Sequence, residues 1–428
     1  MLVLCPAAWS FEDSDGILSR FLDRMAGELK QLPDYVCAQE IERFSRQGSE
    51  NPWNRIDSLR LEVAMSGNKE LYSLPGDRRF TERPLRAFIG RGSIGTGQLG
   101  LLAQHVFLTS TGQFTDRGES DLKGRRVREF GFDVPAERSS YRLSFGNSES
   151  AVAFQGSFFI DPETLDLVRL DVQAYDIPES LAIVEANTSL DYARMVVDGN
   201  NMTLPIQASL TVTATDGRED LNRTVLSGCR HYQTESTIAF DTSSAGAGDA
   251  ERALPVPSVV PQALSKPSAL PGGTLLDLTL DTNLDPSTVA VGDTVTASIA
   301  HAIRDVLGNV IPQGTPVTGH VVRLEKATMP FAMYSVGLEF QALKHPGGTI
   351  PFDATMIEAG PAAGLLRQEK SLDPTFTRNR GAHIDVLVRE VQRGQGILMW
   401  DARKGTIPHG LRMKWRVLEV PASTGGNK

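Results

Sequence analysis

The segment Ile206 to Thr215 constrains the fold of this chain more than any other. Ile206, Ala208, Leu210, Val212 and Ala214 alternate with Gln207, Ser209, Thr211, Thr213 and Thr215. One side of the strand is apolar and the other polar, the signature of an antiparallel sheet wet on one face. The turn Asp216-Gly217 reverses the chain into a second strand, where Leu221, Val225 and Cys229 are expected to share a face. A one-residue slip would turn the whole apolar set toward water, so the register is strongly specified.

Similar patterns recur. Phe158 to Ala174 reads as a hairpin about Asp161-Pro162, and Arg60 to Tyr72 as two strands about Gly67-Asn68. Ile17, Leu18, Phe21, Leu22, Met25 and Leu29 recur at helical spacing, with Pro33 as the stop, so a helix precedes the sheet. A strand is expected from Tyr35 to Phe44. Asp241 to Gly273 is rich in Ser, Ala, Gly and Pro, lacks aromatic residues, and reads as a flexible linker. Alternation returns at Leu276, Leu278 and Leu280, at Val295, Ala297 and Ile299, and at Leu411, Met413, Trp415 and Val417. The expected organisation is an apolar leader over 1–10, a first β domain over 12–240, the linker over 241–273 and a second β domain over 274–420.

The chain begins Met-Leu-Val-Leu-Cys-Pro-Ala-Ala-Trp, which reads as the end of a secretory signal or as an ordinary apolar terminus. With Cys5 removed, Cys37 and Cys229 remain. An even count in an exported chain points to a disulfide, against the alternative of two unrelated buried thiols. The net charge of −9, with no long basic run, argues against a nucleic-acid partner. No apolar run is long enough for a membrane-spanning helix.

Motifs for chemistry are weak. Gly90-Arg91-Gly92-Ser93-Ile94-Gly95 and Gly95-Thr96-Gly97-Gln98-Leu99-Gly100 both fit GxGxxG. No βαβ pattern surrounds them, so a flexible loop leading into a short helix from Leu101 is the better reading than a dinucleotide site. The seven histidines lack metal-ligand spacing, and there is no GxSxG elbow. The expectation is therefore no enzyme, no metal and no cofactor.

Two resemblances follow. The leading helix, the long strands and Gly156-Ser157-Phe158-Phe159-Ile160-Asp161-Pro162-Glu163-Thr164-Leu165-Asp166-Leu167-Val168-Arg169-Leu170 resemble the half-barrel of periplasmic lipoprotein carriers and envelope sigma-factor regulators. Asp34-Tyr35-Val36-Cys37 with Ser227-Gly228-Cys229-Arg230 is similar to exported bacterial proteins without an assigned role. Residues 270–324, through Pro271-Gly272-Gly273-Thr274 and Asp305 to Thr315, resemble the β-barrel domain of the type IV secretion channel subunit. The implied architecture is mainly β (α+β): an antiparallel half-barrel with a leading helix, then a barrel-like or sandwich domain.

The expected function is periplasmic or exported binding of a lipid, acyl chain or hydrophobic peptide. Phe21, Leu22, Met25, Ile206, Ala208, Leu210 and Val212 would line the cavity. The alternative is an envelope scaffold or sensor acting on a protein partner, with its cavity filled by its own side chains.

Overall fold

The computed structural model describes residues 14–67, 69–77, 80, 84–109, 114–139, 141–145, 148–232, 269–327, 331–345, 348–366 and 394–419. The apolar leader and residues 241–268 of the expected linker lie outside them.

Helix α1 (Ser14–Gln31) leads into β1 (Tyr35–Gln47), β2 (Asn54–Ser66) and β3 (Lys69–Ser73). Then come β4 (Ser93–Gly95), α2 (Leu101–Gln104), β5 (Thr115–Leu122) and β6 (Arg125–Val134). β7 (Arg142–Phe145), β8 (Ser148–Ala151), β9 (Ala153–Ile160) and β10 (Leu167–Tyr175) follow. β11 (Ile183–Val197), β12 (Asn200–Ala214) and β13 (Arg218–His231) complete the N-terminal half. Ten of these strands form one antiparallel sheet in the order β3-β2-β1-β13-β12-β11-β10-β9-β6-β5. It is the expected half-barrel, with α1 on its inner face. Ile17, Phe21 and Met25, each one helical turn from the next, are buried there among Phe158, Leu190 and Leu210.

The C-terminal half holds β14 (Leu275–Leu280), β15 (Thr294–Ile299), β16 (Ile303–Arg304), β17 (Val310–Ile311) and β18 (Pro316–Ala327). It continues with β19 (Met333–His345), β20 (Gly348–Pro351), β21 (Ala354–Ala359), β22 (Gly396–Asp401) and β23 (Arg412–Val417). The sheet order is β20-β19-β18-β15-β14-β23-β21, with β22 also on β19. Met356 N donates to Gln395 O at 3.4 Å, so the sheet curls until its ends meet. Ala269 to Gly273, assigned to the linker by composition, pack on this sheet. Leu270 is buried, and Gly273 N donates to Val417 O at 2.9 Å.

The two halves share a core. One buried cluster runs from Tyr35, Leu61 and Tyr72 in the first sheet to Leu276, Val321 and Trp415 in the second. Where β3 runs out along β2, the C-terminal half takes its place. Arg60 N donates to Val291 O at 2.7 Å, and Val291 N to Ser58 O at 2.8 Å. Gly292, at φ +99°, lies so close to the Arg60 carbonyl that a Cβ there would sit 1.8 Å from its oxygen. Only glycine permits that approach.

Cys37 and Cys229 form a disulfide, with Cα atoms 4.1 Å apart. It crosses β1 and β13 where their register shifts between Val36 and Ala38.

Candidate binding site in the half-barrel

The register of β12 against β13 decides what faces the concavity. Leu210 pairs with Asn222, Ala208 with Thr224 and Val212 with Asp220. Partners across an antiparallel pair share a face, so the inner face of β13 is polar from Asp220 to Thr224 and turns apolar only at Leu226. Asp220, Asn222 and Thr224 are each no more than 3% exposed, whereas Val225 is 46% exposed. The expectation that Leu221, Val225 and Cys229 form the buried row is corrected.

Ser93 bonds two members of this row, Asp220 and Asn222, while Thr224 Oγ1 is buried without a hydrogen-bond partner among the described residues. Ser93 donates to Asp220 Oδ2 from its N at 2.9 Å and its Oγ at 3.0 Å. Asn222 Nδ2 donates to Ser93 O at 3.0 Å. Arg43, fully buried, pairs with Asp57 at 3.1 Å and donates to Arg91 O. Burial pushes the Asp57 carboxyl up, and Arg43 and Arg91 oppose that rise.

The other half of the concavity is apolar and full. Phe158 stands at its centre, with ring centroids 5.3 Å from Phe21, 5.1 Å from Phe107, 5.5 Å from Phe114 and 5.4 Å from Phe130. Of the residues expected to line a cavity, Phe21, Met25, Ala208, Leu210 and Val212 are buried in this cluster, and Leu22 packs on it. They form packed core. Ile206 is the exception. The β11–β12 register shifts between Asp191 and Tyr192, where Gln207 gives way to Pro205, so Ile206 is the extra residue of a bulge. It is half-buried and belongs to neither core cluster, which corrects its place in the alternation.

The glycine-rich segment is no surface loop. It crosses the inside of the sheet, with Ser93, Ile94, Gln98 and Leu99 buried. A Cβ on Gly95 would meet Leu210 Cδ2 at 3.0 Å, so the glycine marks a close approach of backbone to core. The segment ends in the expected short helix, α2, and one wider turn over His105–Thr109. Its amides are not spare. Gly97 N donates to Glu70 Oε2 and Leu99 N to Glu70 Oε1, each at 2.8 Å, and Tyr72 Oη donates to Glu70 Oε2 at 2.6 Å. Burial raises the pKa of Glu70, and these donors oppose the rise. The motif thus holds a carboxylate of its own chain, which explains glycine-rich spacing without a nucleotide.

Beside this segment a cavity of about 380 Å³ remains. Tyr72, Leu85, Ile94 and Leu101 give it an apolar floor, and Lys69, Arg86, Arg142 and Glu149 form its rim. Arg142 pairs with Glu149, which also accepts from Ser144 Oγ at 2.9 Å. Sequence reasoning missed this site because its residues come from β3, a turn at Leu85–Phe88, β4, α2 and β7–β8. The doubled glycine motif was the one signal that backbone passes close to something here. A second, polar groove of about 500 Å³ lies over outward-facing residues Glu40, Glu42, Arg169, Asp191 and Arg223, with Lys123 bonded to Asp191 at 3.1 Å.

No family model and no curated protein matches the chain. Solved structures similar to it include a DUF1329 family protein from Desulfovibrio piger, 11% identical with a TM-score of 0.27, covering 50% of this chain and 90% of that one. A LolA superfamily protein from Nitrosomonas europaea is 7% identical with a TM-score of 0.26, covering 50% of this chain and 94% of the other. The MucA/MucB complex of Pseudomonas aeruginosa is 13% identical with a TM-score of 0.16, covering 77% and 90%. A LolA superfamily protein and the MucA/MucB complex are thus among the similar structures; the secretion-channel resemblance of residues 270–324 is not shown.

Proposed function

We propose that this chain is a non-catalytic protein of the cell envelope that binds a lipid, acyl chain or hydrophobic peptide, and that the ligand seats in the mouth cavity beside the glycine-rich segment. The observation that carries this reading is the cavity itself, with its apolar floor of Tyr72, Leu85 and Ile94 under a charged rim. Its volume of about 380 Å³ lies within the range of small-molecule sites. In the deeper concavity the rings of Phe21, Phe107 and Phe158 pack against one another, which supports core there. The disulfide Cys37–Cys229 supports an oxidising compartment. The carboxylates at the cavity are engaged, Glu70 by amides and Glu149 by Arg142, which supports a binding role over acid-base chemistry.

Mass spectrometry of an organic extract from the purified protein tests this. An apolar compound near one equivalent is the expected result, and Ile94→Trp should abolish its retention. The second reading, an envelope scaffold, draws on the self-filled concavity. An empty extract together with a stable envelope-protein complex would put it first.

A further inference from the structure

We infer that the β16–β17 hairpin is a membrane-contact finger whose tip, Val306, Leu307 and Val310, seats in the interfacial layer of a phospholipid bilayer. This surface is separate from the mouth cavity and goes beyond the binding role proposed above. The hairpin has two faces. Ile303 and Ile311 pair on one, with Ile311 buried in the shared core and Ile303 packed against it. Arg304 and Val310 pair on the other. At the end of the hairpin Val306 is 54% exposed, Leu307 66% and Val310 52%. Large apolar side chains scattered singly over a surface are ordinary, but three gathered on one turn mark a contact surface.

The backbone of this turn suits a place without water. Asp305 N donates to Asn309 O, Val306 N to Ala269 O and Gly308 N to Asp305 O, each at 3.0 Å. The buried Asp305 carboxylate takes the remaining amides. Its Oδ1 accepts from Leu307 N at 2.9 Å and from Asn309 N at 2.7 Å, and its Oδ2 from Asn309 Nδ2 at 2.8 Å. Arg304 Nη1 donates to Gly308 O at 2.9 Å. Every amide from Asp305 to Asn309 is therefore bonded within the protein. An apolar medium demands this, because it offers an N–H no other partner. The same bonds fix the turn, so seating the tip requires little ordering of the chain.

Size selects the occupant. Three half-exposed side chains present a few hundred Å² at most, well short of the roughly 800 Å² that each partner of a stable protein complex buries. A bilayer needs no complementary surface, and an interfacial contact strengthens with the apolar area it buries. The finger lies in the bilayer surface and does not span it.

Flotation of the full chain with phosphatidylcholine vesicles tests the inference. The wild type should float with the vesicles at millimolar lipid. About 0.5 M salt should leave the bound fraction intact, because apolar contact is not screened. Leu307→Asp should lower binding about tenfold or more with no change in melting temperature, since it removes a buried contact and adds a charge. Val184→Asp, which alters a valine 65% exposed on β11, should leave binding within about twofold. Leu307→Trp reads insertion directly. Compared with the wild type, its emission should move to shorter wavelength with vesicles and be quenched by lipids brominated on their acyl chains.

A wild type that does not float, an equal loss in Val184→Asp, or emission of the Leu307→Trp variant that vesicles leave unchanged would each overturn the inference. A wild-type dimer in sedimentation that Leu307→Asp dissolves would also overturn it, and would assign the tip to a second copy of the chain. Leu307→Asp should retain the apolar compound of the organic extract, so failure of the bilayer contact and failure of the ligand role are read separately.

Discussion

Phe158→Ala decides whether the half-barrel concavity is core or site. Phe158 is fully buried, and its ring stacks on Phe21 and Phe130 and meets Phe107 and Phe114 edge to face. Removing a buried phenylalanine ring costs about 3–5 kcal/mol, the transfer loss plus the cavity left behind. Five ring neighbours, Phe132 being the fifth, place this site at the upper end, because each aromatic pair adds roughly 0.5–1.5 kcal/mol beyond its area. For a unit of roughly 200 residues, about 2–4 °C per kcal/mol gives a fall in melting temperature of roughly 6–20 °C. Thermal and urea denaturation measure it. The packed-core reading also requires a gain: the variant should bind a benzene-sized probe that the wild type excludes, since an apolar cavity of that kind stays dry and accepts apolar guests. A cost below about 1 kcal/mol, with a hydrophobic probe bound by wild type and lost in the variant, would refute the reasoning and return the ligand to the concavity.

The remaining expectations concern register, cross-linking and protons. Leu210→Asp should unfold the N-terminal half by placing an unpaired charge in an apolar site, while Thr211→Asp, on the opposite face of the strand, should cost less than about 1 kcal/mol; similar losses in denaturant midpoints would contradict the assigned faces. Reducing Cys37–Cys229, which joins residues 192 apart, should cost about 2–5 kcal/mol, read by urea titration with and without reductant. Two carboxylates should show opposite pH dependence. Burial raises the pKa of Asp161, but the Arg125 bond and the amides of Thr164 and Glu163 outweigh it, and the net shift is downward. Its contribution is therefore present above the unfolded carboxylate pKa and lost as pH falls through the folded one, so the cost of Asp161→Asn should shrink toward about pH 3. Glu70 is raised by burial; its contribution is full below the unfolded pKa and lost as pH rises through the folded one, so the cost of Glu70→Gln should shrink toward neutral pH. Parallel trends for the two variants would show that one of these environments is misassigned.

Strands with one apolar and one polar face were legible from sequence. Ala208, Leu210 and Val212 face inward as their alternation dictates, and Phe21 and Met25 meet them from one side of α1. β13 was not legible by the same rule. Leu221 and Val225 lie on its outer face, and its inner row is Asp220, Asn222 and Thr224, with Leu226 the buried apolar residue that continues it. A local pattern assigns the apolar row to the core because an unpaired buried polar group is costly. For Asp220 and Asn222 that cost is offset by Ser93, 127 and 129 residues away, which no local pattern contains. The glycine-rich segment failed for the complementary reason. Its spacing signals close backbone approach, and only the fold shows that the approached groups are Leu210 and Glu70. Ile206 failed because a bulge is a property of two strands, visible only where β12 meets β11.

The shared core links the proposed ligand to both halves of the chain. Tyr72, Leu85 and Ile94, the cavity floor, belong to the same buried cluster as Leu276, Val321 and Trp415 of the C-terminal sheet. That cluster is continuous across the β2 edge, where Arg60 both bonds to Val291 through its backbone and pairs with Asp293 at 2.7 Å. A ligand seated on the floor therefore contacts a core that neither half closes alone. Binding to the folded state stabilises it by about 2.7 kcal/mol at a hundred times the dissociation constant. Because the cluster is shared, that stabilisation should raise the melting of both halves together. Hydrogen exchange reads this directly: saturation with the apolar compound recovered in the extract should slow amides in β14 and β23 as well as in β3. Protection confined to β3 and the glycine-rich segment would mean that the floor opens locally without the C-terminal sheet, and the two halves would then be separate units in contact, with the ligand site belonging to the first alone.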